Sequence, residues 1–526
     1  MKIPVALIID NDCVTRWQNS ALKEAAEYID LKLIVNCKNT NNKKNLTKHF
    51  AYYVTNFLCL KNSLTKKIEY EDHHADKVDF DSIYDRGWQS IPPHIVEEIR
   101  KRQIKVVIKF GMSLLRINKN ITELDILSFH HGDPETYRGR PAGFYELYDN
   151  ADRVGIIVQK ILNELDGGEV FARAYSKITH HSYRKTAINF FKNSKYLLRK
   201  ALINYKHQKT IKVKELGKNY SLPSNLKVLV FAAKLLTRKF RRLFYGAFVQ
   251  KYWNIVKFKG LPNIFEGASL STTSGAVPTI EEQYTFYADP FFSVDGKKIR
   301  VEALNKKNGM GEIIELNSLS LINEGVILKG CHFSYPYSIY DNGGEFLIPE
   351  VASHSGPFMC NMSETNDRRQ YLMGLEGYRI IDATIIFNNG FYYLFGELAE
   401  NAADCLSLFY SNELKGPYAP HPDNPIVIDP KSARMGGRII VKDKKIYRFG
   451  QDNCYGYGDK ITISEIEDLS PQSYSERPVA YLSFKDAKGP HTLDLISGDA
   501  VMDFYTDKFS VLAGYRRFLA KISKRK

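Results

Sequence analysis

The densest group of reactive side chains is Ser128-Phe129-His130-His131-Gly132-Asp133-Pro134-Glu135, followed by Tyr137-Arg138-Gly139. A histidine exchanges protons near neutral pH, and a carboxylate within reach orients it or raises its pKa. The next candidate carboxylate stands in Glu164-Leu165-Asp166-Gly167-Gly168, after the strand-like run Gly155-Ile156-Ile157-Val158-Gln159. A second group lies far along the chain. Asp289, Glu302, Glu350, Asp382 and Glu397 could furnish the two carboxylates that glycoside chemistry needs across a scissile bond. Arg434 and Arg438 are candidates for bidentate recognition of phosphate or carboxylate, and Tyr335, Tyr337 and Tyr455 suit sugar faces. The competing use of these acids is structural: capping strands and accepting bonds from backbone amides. Asp10-Asn11-Asp12, after the first apolar run, is a further ligand-contact candidate, whereas His73-His74 reads as a solvated loop.

The elements that must position the first group alternate between strand and helix. Strand-like runs cover Val5 to Ile9, Leu31 to Val35, Ile104 to Phe110 and Asp125 to Phe129, with helical patterns at Asn19 to Tyr28 and Pro92 to Arg102. Alternation of this kind predicts parallel βαβ units in a doubly wound sheet, with the ligand crevice beyond the carboxyl ends of the strands. Functional residues are expected just after Phe110 and Phe129. From about Tyr284 the period changes to short aromatic and β-branched runs broken by Asp-Gly, Asn-Gly and Gly-Gly turns, which signals antiparallel hairpins. Related segments begin at Ala288, Ser334, Asp382, Gly437 and Gly498. Their spacing is near the roughly 40 to 50 residue period of propeller blades, so five blades with polar residues facing a central cavity are predicted.

The first group resembles the formyltransferase family, which includes methionyl-tRNA and sugar N-formyltransferases. That family carries Asn-x-His after a strand, an Arg-Gly turn, and Gly-Val-Thr/Ile leading to Leu-Asp-x-Gly. The corresponding residues here are Ser128-x-His130, Arg138-Gly139, Gly155-Ile156-Ile157 and Leu165-Asp166-Gly167-Gly168, and Phe110-Gly111 matches the family's upstream aromatic-Gly pair. The resemblance implies that His130 polarises a formyl carbonyl while Asp166 sets its protonation and helps deprotonate an attacking amine. It also implies a donor, 10-formyltetrahydrofolate, and substrate contacts at Phe110, Gly111 and Arg138. Ser128 stands at the family's Asn position, and Gly132-Asp133-Pro134-Glu135 replaces its Ser-Leu-Leu-Pro. His131 and Asp133 are candidates to compensate for the lost Asn. A different acyl donor, a hydrolytic variant and a non-catalytic relic stay open.

The second half resembles the N-terminal domain of plant glucosamine inositolphosphorylceramide transferases, itself similar to five-bladed glycosidase propellers. The residues are Tyr287-Ala288-Asp289-Pro290-Phe291, His332-Phe333-Ser334-Tyr335-Pro336-Tyr337, Ile348-Pro349-Glu350, Gly416-Pro417-Tyr418, Ala433-Arg434 with Gly437-Arg438, and Tyr447 to Asp452. This resemblance implies a propeller and is silent on its chemistry.

With 526 residues the chain exceeds the roughly 250 to 300 at which a single core stops growing. The expected organisation is an α/β Rossmann-like formyltransferase domain over 1–180, a basic helical connector over 181–265 and an all-β five-bladed propeller over 266–526. The formal net charge is +15, which alone suggests nucleic acid or an anionic membrane. Its distribution decides between them. His181 to Gly260 holds 20 Lys/Arg and one acid, leaving 54 bases and 58 acids elsewhere. Within it, Leu226 to Trp253 sets apolar residues at helical spacing beside Lys227, Lys234, Arg238, Lys239, Arg241, Arg242 and Lys251. Such a helix suits an anionic lipid interface; packing against one of the domains is the alternative. Specific nucleic-acid binding is not expected, because no recognised binding module accompanies the charge.

The seven cysteines are scattered without a Cys-x-x-Cys pair, so neither disulfides nor a metal site is expected. No signal peptide or membrane-spanning run is expected, which places the chain in the cytoplasm, peripheral at the inner face of a membrane. The resulting expectation is a transferase of a formyl or related acyl group to an amino sugar in cell-surface glycan biosynthesis. A sugar nucleotide or lipid-linked glycan would be the acceptor, held by the propeller. The alternatives are a propeller-based glycosyltransferase or glycan hydrolase with a degenerate first domain, and a non-catalytic membrane-associated scaffold.

Overall fold

A computed structural model describes residues 2–39, 46–85, 87–260, 263–351, 354, 356–363, 369–401 and 404–523. The chain divides into two compact units, Met1–Phe240 and Arg241–Lys526.

In the first unit, five parallel strands form the centre of the sheet: β1 (Ile3–Asp10), β2 (Ile29–Cys37), β3 (Asp76–Phe80), β4 (Val106–Lys109) and β5 (Asp125–His130). A short strand, β6 (Tyr137–Gly139), leaves the sheet; β7 (Arg153–Lys160) extends it antiparallel to β5, and β8 (Glu169–Lys177) pairs antiparallel with β7. The order across the sheet is β3-β2-β1-β4-β5-β7-β8. Strand order reverses between β1 and β4, the switch point beyond which a doubly wound sheet opens its crevice. Their interiors read as continuous apolar runs because helices cover both faces. Val5 to Ile9 and Val106 to Ile108 are almost wholly buried, with Ala6, Ile8 and Val107 packed under α2 (Pro93–Lys101) through Ile95, Val96 and Ile99. Helix α1 spans Arg16–Glu24, starting earlier than apolar spacing suggested because the Thr15 backbone N–H donates to Gln18 Oε1 at 2.7 Å, half of a capping box.

The expected boundary at residue 180 is corrected by the packing. Helices α3 (Tyr183–Ser194) and α4 (Leu197–Lys206) bury Tyr183, Ala187, Phe190, Leu197, Leu198, Ala201 and Leu202, and both contact β8. Strand β9 (Lys218–Tyr220) pairs in parallel with β6. The start of the basic segment is therefore part of the first unit: its lysines and arginines line the outer faces of helices whose inner faces are apolar. Helix α5 (Asn225–Phe248) begins on the same unit, with the Phe231 ring packed at a tilt on Phe144, centroids 4.2 Å apart. Lys234 donates to the Tyr148 carbonyl at 3.0 Å and Arg238 to that of Leu147 at 2.6 Å, so these two cations face protein. The opposite stripe of α5 is open: Leu226, Leu229, Leu236, Phe240, Leu243 and Phe244 are all exposed.

The second unit is a five-bladed β-propeller. The first three blades begin with the strands Tyr284–Phe292, Phe333–Asp341 and Ile380–Asn388. Each first strand carries a β-bulge, between Ala288 and Phe291, Ser334 and Tyr337, and Ile381 and Thr384. The extra residue has positive φ in each: Asp289 at 49°, Tyr335 at 48° and Asp382 at 52°. Opposite the bulges, on the second strands, stand Glu302, Glu350 and Glu397; Gln451 holds the position in the fourth blade, opposite Arg434. The fifth blade differs from expectation. It starts at Leu493–Ile496 instead of Gly498, which is the turn into its second strand, Asp499–Phe509. Its outer strand is Val249–Phe258, paired antiparallel from Val249 with Phe509 to Phe258 with Ala500. A strand placed inside the expected connector thus closes the ring, and the propeller begins before residue 266.

Candidate functional site

The crevice of the first unit forms where β1, β4, β5 and β7 end. The strand register sets Lys109 of β4 opposite Ser128 of β5, and Ser128 opposite Gln159 of β7. His130, two residues on, extends its ring to Asp166, with Nδ1 3.1 Å from Oδ1 and both side chains largely buried. Asp166 sits at φ 52° in the turn after β7. Its Oδ2 accepts the Gly139 N–H at 2.8 Å, and Gln159 Nε2 lies 3.4 Å from its Oδ1. The carboxylate is thus fixed before any ligand arrives, and it holds the imidazole by Nδ1. A His-carboxylate pair of this kind can take a proton from an attacking group and return it to a leaving group.

Two cavities adjoin here, and the larger holds this pair. One, about 350 Å³, is lined by Asp10, Trp17, Tyr84, Gln89, Phe110 and His131 among others. The other, about 590 Å³, has apolar walls of Trp88, Leu114, Leu115, Ile161, Leu162 and Leu165, and a polar side that includes His130, Arg140 and Asp166. Lys109, Ser113, Ser128 and Phe129 line both. Gly111 lets β4 leave the sheet beside β1, since a Cβ there would sit 2.5 Å from Asp10 Oδ1 and 2.6 Å from the Ile9 carbonyl carbon. Of the residues singled out in the sequence, Phe110 and Gly111 line the smaller cavity, His130 and Asp166 the larger, and Ser128 both.

Three other residues do not serve as expected. Arg138 donates to the Leu165 carbonyl at 3.1 and 2.7 Å and lies outside both cavities, so it holds the Asp166 turn instead of a substrate. Asp133 accepts from Tyr175 at 3.2 Å and from the Glu135 N–H at 3.1 Å, also away from both cavities. His131 lines the smaller cavity, but burial among Trp17, Phe190 and Phe191 pushes its pKa down to about 3, and its Nε2 meets Ser194 Oγ at 2.9 Å. It is a neutral wall residue. Lys109 went unnoticed because a lysine closing an apolar strand reads as its solvent end; burial lowers its pKa to about 8, against Asp10 and Asp166, which pull it up.

The candidate acids of the propeller separate into two clusters. Asp382 takes Arg434 Nε at 2.7 Å and Gln451 Nε2 at 3.1 Å, and its backbone N–H donates to Glu350 Oε2 at 3.2 Å. Burial and the neighbouring Asp382 push the Glu350 carboxyl well above its usual range. In the second cluster His491 lies between Asp289, at 3.0 Å, and Asp503, at 2.5 Å. Thr492 Oγ1 donates to Asp289 at 2.9 Å, and the Asp289 N–H to Asp503 at 3.1 Å. These three side chains are of metal-ligating types, with ligand atoms within 4.8 Å of one another. Asp503 and Asp289 outweigh burial and raise the His491 pKa to about 10, which makes the three side chains an ion triad.

Glu350 and Asp503 share a structural use: each accepts the N–H of the bulge residue in the following blade. Arg438, expected to bind a ligand, is held by Asp494 at 2.9 and 3.1 Å and donates to the Ser338 and Phe292 carbonyls, joining blades. Glu302 stands apart from both clusters, 3.6 Å from His332. His491, Asp494 and Asp503 were missed with the fifth blade's true start.

Residues 270–497 match the family model described as glucosamine inositolphosphorylceramide transferase 1, N-terminal. The glucosamine inositolphosphorylceramide transferase 1 of Arabidopsis thaliana is 28% identical over 239 residues, 42% of this chain and 30% of that protein. The chain thus spans about 30% of the length of the relative it matches. Among solved structures, a 4-N formyltransferase from Francisella tularensis is 10% identical, with 44% of this chain and 87% of that one covered and a TM-score of 0.29. A thermostable family-43 glycoside hydrolase is 12% identical, with 37% and 74% covered and the same TM-score. Likenesses at that score carry no functional argument.

Proposed function

We propose that the chain is a transferase of a formyl or related acyl group to an amino sugar in glycan biosynthesis, with its chemistry in the first unit. The observation that carries this reading is the His130–Asp166 pair, fixed in the larger of two adjoining cavities beyond the strand ends. Two adjoining pockets, the larger of them holding a proton-transfer pair, suit a donor and an acceptor that exchange a small group. The larger pocket, apolar on one wall and polar on the other, suits a flat-ringed donor such as 10-formyltetrahydrofolate. The smaller, with Asp10, Gln18, Tyr84 and Gln89, suits a sugar amine.

The propeller would hold the glycan or lipid-linked acceptor, supported by its match to a domain of proteins named for glucosamine and inositolphosphorylceramide. The exposed apolar stripe of α5 beside Lys227, Lys239, Arg241 and Arg242 supports contact with an anionic membrane from the cytoplasmic side. No helix of the described residues is long and apolar enough to cross one. Incubating the full chain with 10-formyltetrahydrofolate and amino-sugar nucleotides tests the reading. The expected product is an N-formylated sugar by mass spectrometry; its absence with every acceptor and an alternative acyl donor would defeat the reading.

A second reading, a glycan-cleaving or glycosyl-transferring propeller, draws on one observation. The Glu350 carboxyl, pushed well above its usual range, stands beside the arginine-paired Asp382, two carboxyl groups in one cluster. Loss of glycan turnover in Glu350→Gln, with formyl transfer absent in the native chain, would favour it.

A further inference from the structure

We propose that Lys109 is a catalytic residue: its ammonium, with the Ser128 hydroxyl beside it, binds the oxyanion that forms when an amine attacks the formyl carbonyl. The inference rests on the acyl-transfer reading of the crevice. Lys109 is the last residue of β4, in register with Ser128, and its side chain lines both cavities where they join. Among the described residues it forms no ion pair. The carboxylates nearest in charge are engaged elsewhere. Asp10 Oδ1 accepts the Met112 N–H at 2.9 Å, and Asp166 is held by His130, Gln159 and Gly139.

A half-buried cation without an ion-pair partner among the described residues is costly, and a methionine would fill the same space at the end of an apolar strand without that cost. Placed at the junction of donor and acceptor pockets, the cation gains its partner only when negative charge develops on a bound carbonyl. Stabilisation that appears in the transition state alone is what accelerates a reaction. Ser128 alone offers one short donor; Lys109 supplies the second.

In the step assigned here, the amine nitrogen bonds to the formyl carbon and the carbonyl π pair moves to oxygen, where Lys109 Nζ and Ser128 Oγ donate to it. The His130–Asp166 pair takes the amine proton. When the oxyanion collapses, the bond between carbon and the donor nitrogen breaks, and that nitrogen receives the proton. Lys109 acts as a cation throughout, so turnover falls as pH rises through its pKa near 8. The ionisable or charged groups around it are Asp10 on β1, Tyr84, His130 at the end of β5, His131 just after it, and Arg140, Glu164 and Asp166 at the larger cavity.

The test measures formyl transfer by the full-length protein, Lys109→Gln and Lys109→Arg across pH, with thermal unfolding as the control for folding. The expected result is a loss of about 100-fold to 1000-fold in kcat for Lys109→Gln at little changed KM. Lys109→Arg should recover part of the rate and lose the alkaline limb, because a guanidinium stays charged. Native turnover with an unchanged kcat in Lys109→Gln, or a change in KM alone, overturns the role of Lys109 and leaves the acyl-transfer reading standing. An unaltered alkaline limb in Lys109→Arg does the same. A native chain inactive toward every donor and acceptor overturns both.

Discussion

The crevice of the first unit and the axis of the propeller are built from the same residue types, and they use them differently. Each sets a histidine against buried carboxylate: His130 against Asp166, and His491 against Asp289 and Asp503. At the axis every group of the triad is turned inward. Both aspartates also accept from backbone N–H groups, and those bonds tie the inner strands of neighbouring blades together. In the crevice the pair opens onto the larger of two adjoining cavities, and Lys109 forms no ion pair among the described residues. Complete mutual pairing makes such a cluster part of the framework. Pairing that leaves one side facing a cavity makes it available for chemistry.

The largest effect expected from that contrast is catalytic. His130→Ala should lower formyl transfer by about 100-fold to 10,000-fold with the melting temperature unchanged, as read by a coupled rate assay and thermal unfolding. Glu350→Gln should leave that rate intact, and a loss there comparable to His130→Ala would erase the distinction between the two regions.

A next effect is on stability. Arg434→Ala leaves Asp382 buried without its cation and should destabilise the propeller by about 3 to 5 kcal/mol in denaturant titration. A loss below about 1 kcal/mol would mean that the axis is not the framework described. His491 gives a smaller, pH-graded effect. Its folded pKa, raised to about 10 from an ordinary 6.5, means that its stabilisation is fully present below about 6.5 and lost as pH rises through about 10. Thermal unfolding should show this decline, and His491→Asn should flatten it.

The smallest effect concerns α5. Replacing Phe240 and Leu243 with glutamate should reduce co-sedimentation with anionic vesicles while leaving transfer to a soluble acceptor unaltered. Equal binding to neutral vesicles by the native protein would remove the electrostatic part of that account.

The central strands were legible because they are continuous apolar runs ended by Gly or Asp. The His130–Asp166 pairing was legible because both residues follow such runs. The bulged blade starts at Asp289 and Asp382 were legible as repeated acids. What composition hid was packing. The lysine-rich stretch after residue 180 read as a connector, yet Tyr183, Phe190 and Leu198 anchor it to the sheet. The fifth blade was set at the Ser497-Gly498 turn because its outer strand comes from Val249–Phe258, far away in sequence, where no local repeat can show it. His131 and Asp133 looked like chemistry, but what disqualifies them is what surrounds them: an aromatic box and Tyr175.

The measurement closest to the central claim is transfer of an isotopically labelled formyl carbon from 10-formyltetrahydrofolate to an amino-sugar nucleotide, followed by NMR in the native chain and in Asp166→Asn. The account predicts label in a sugar formamide with the native protein and almost none with the variant. Label transferred equally by both would contradict it.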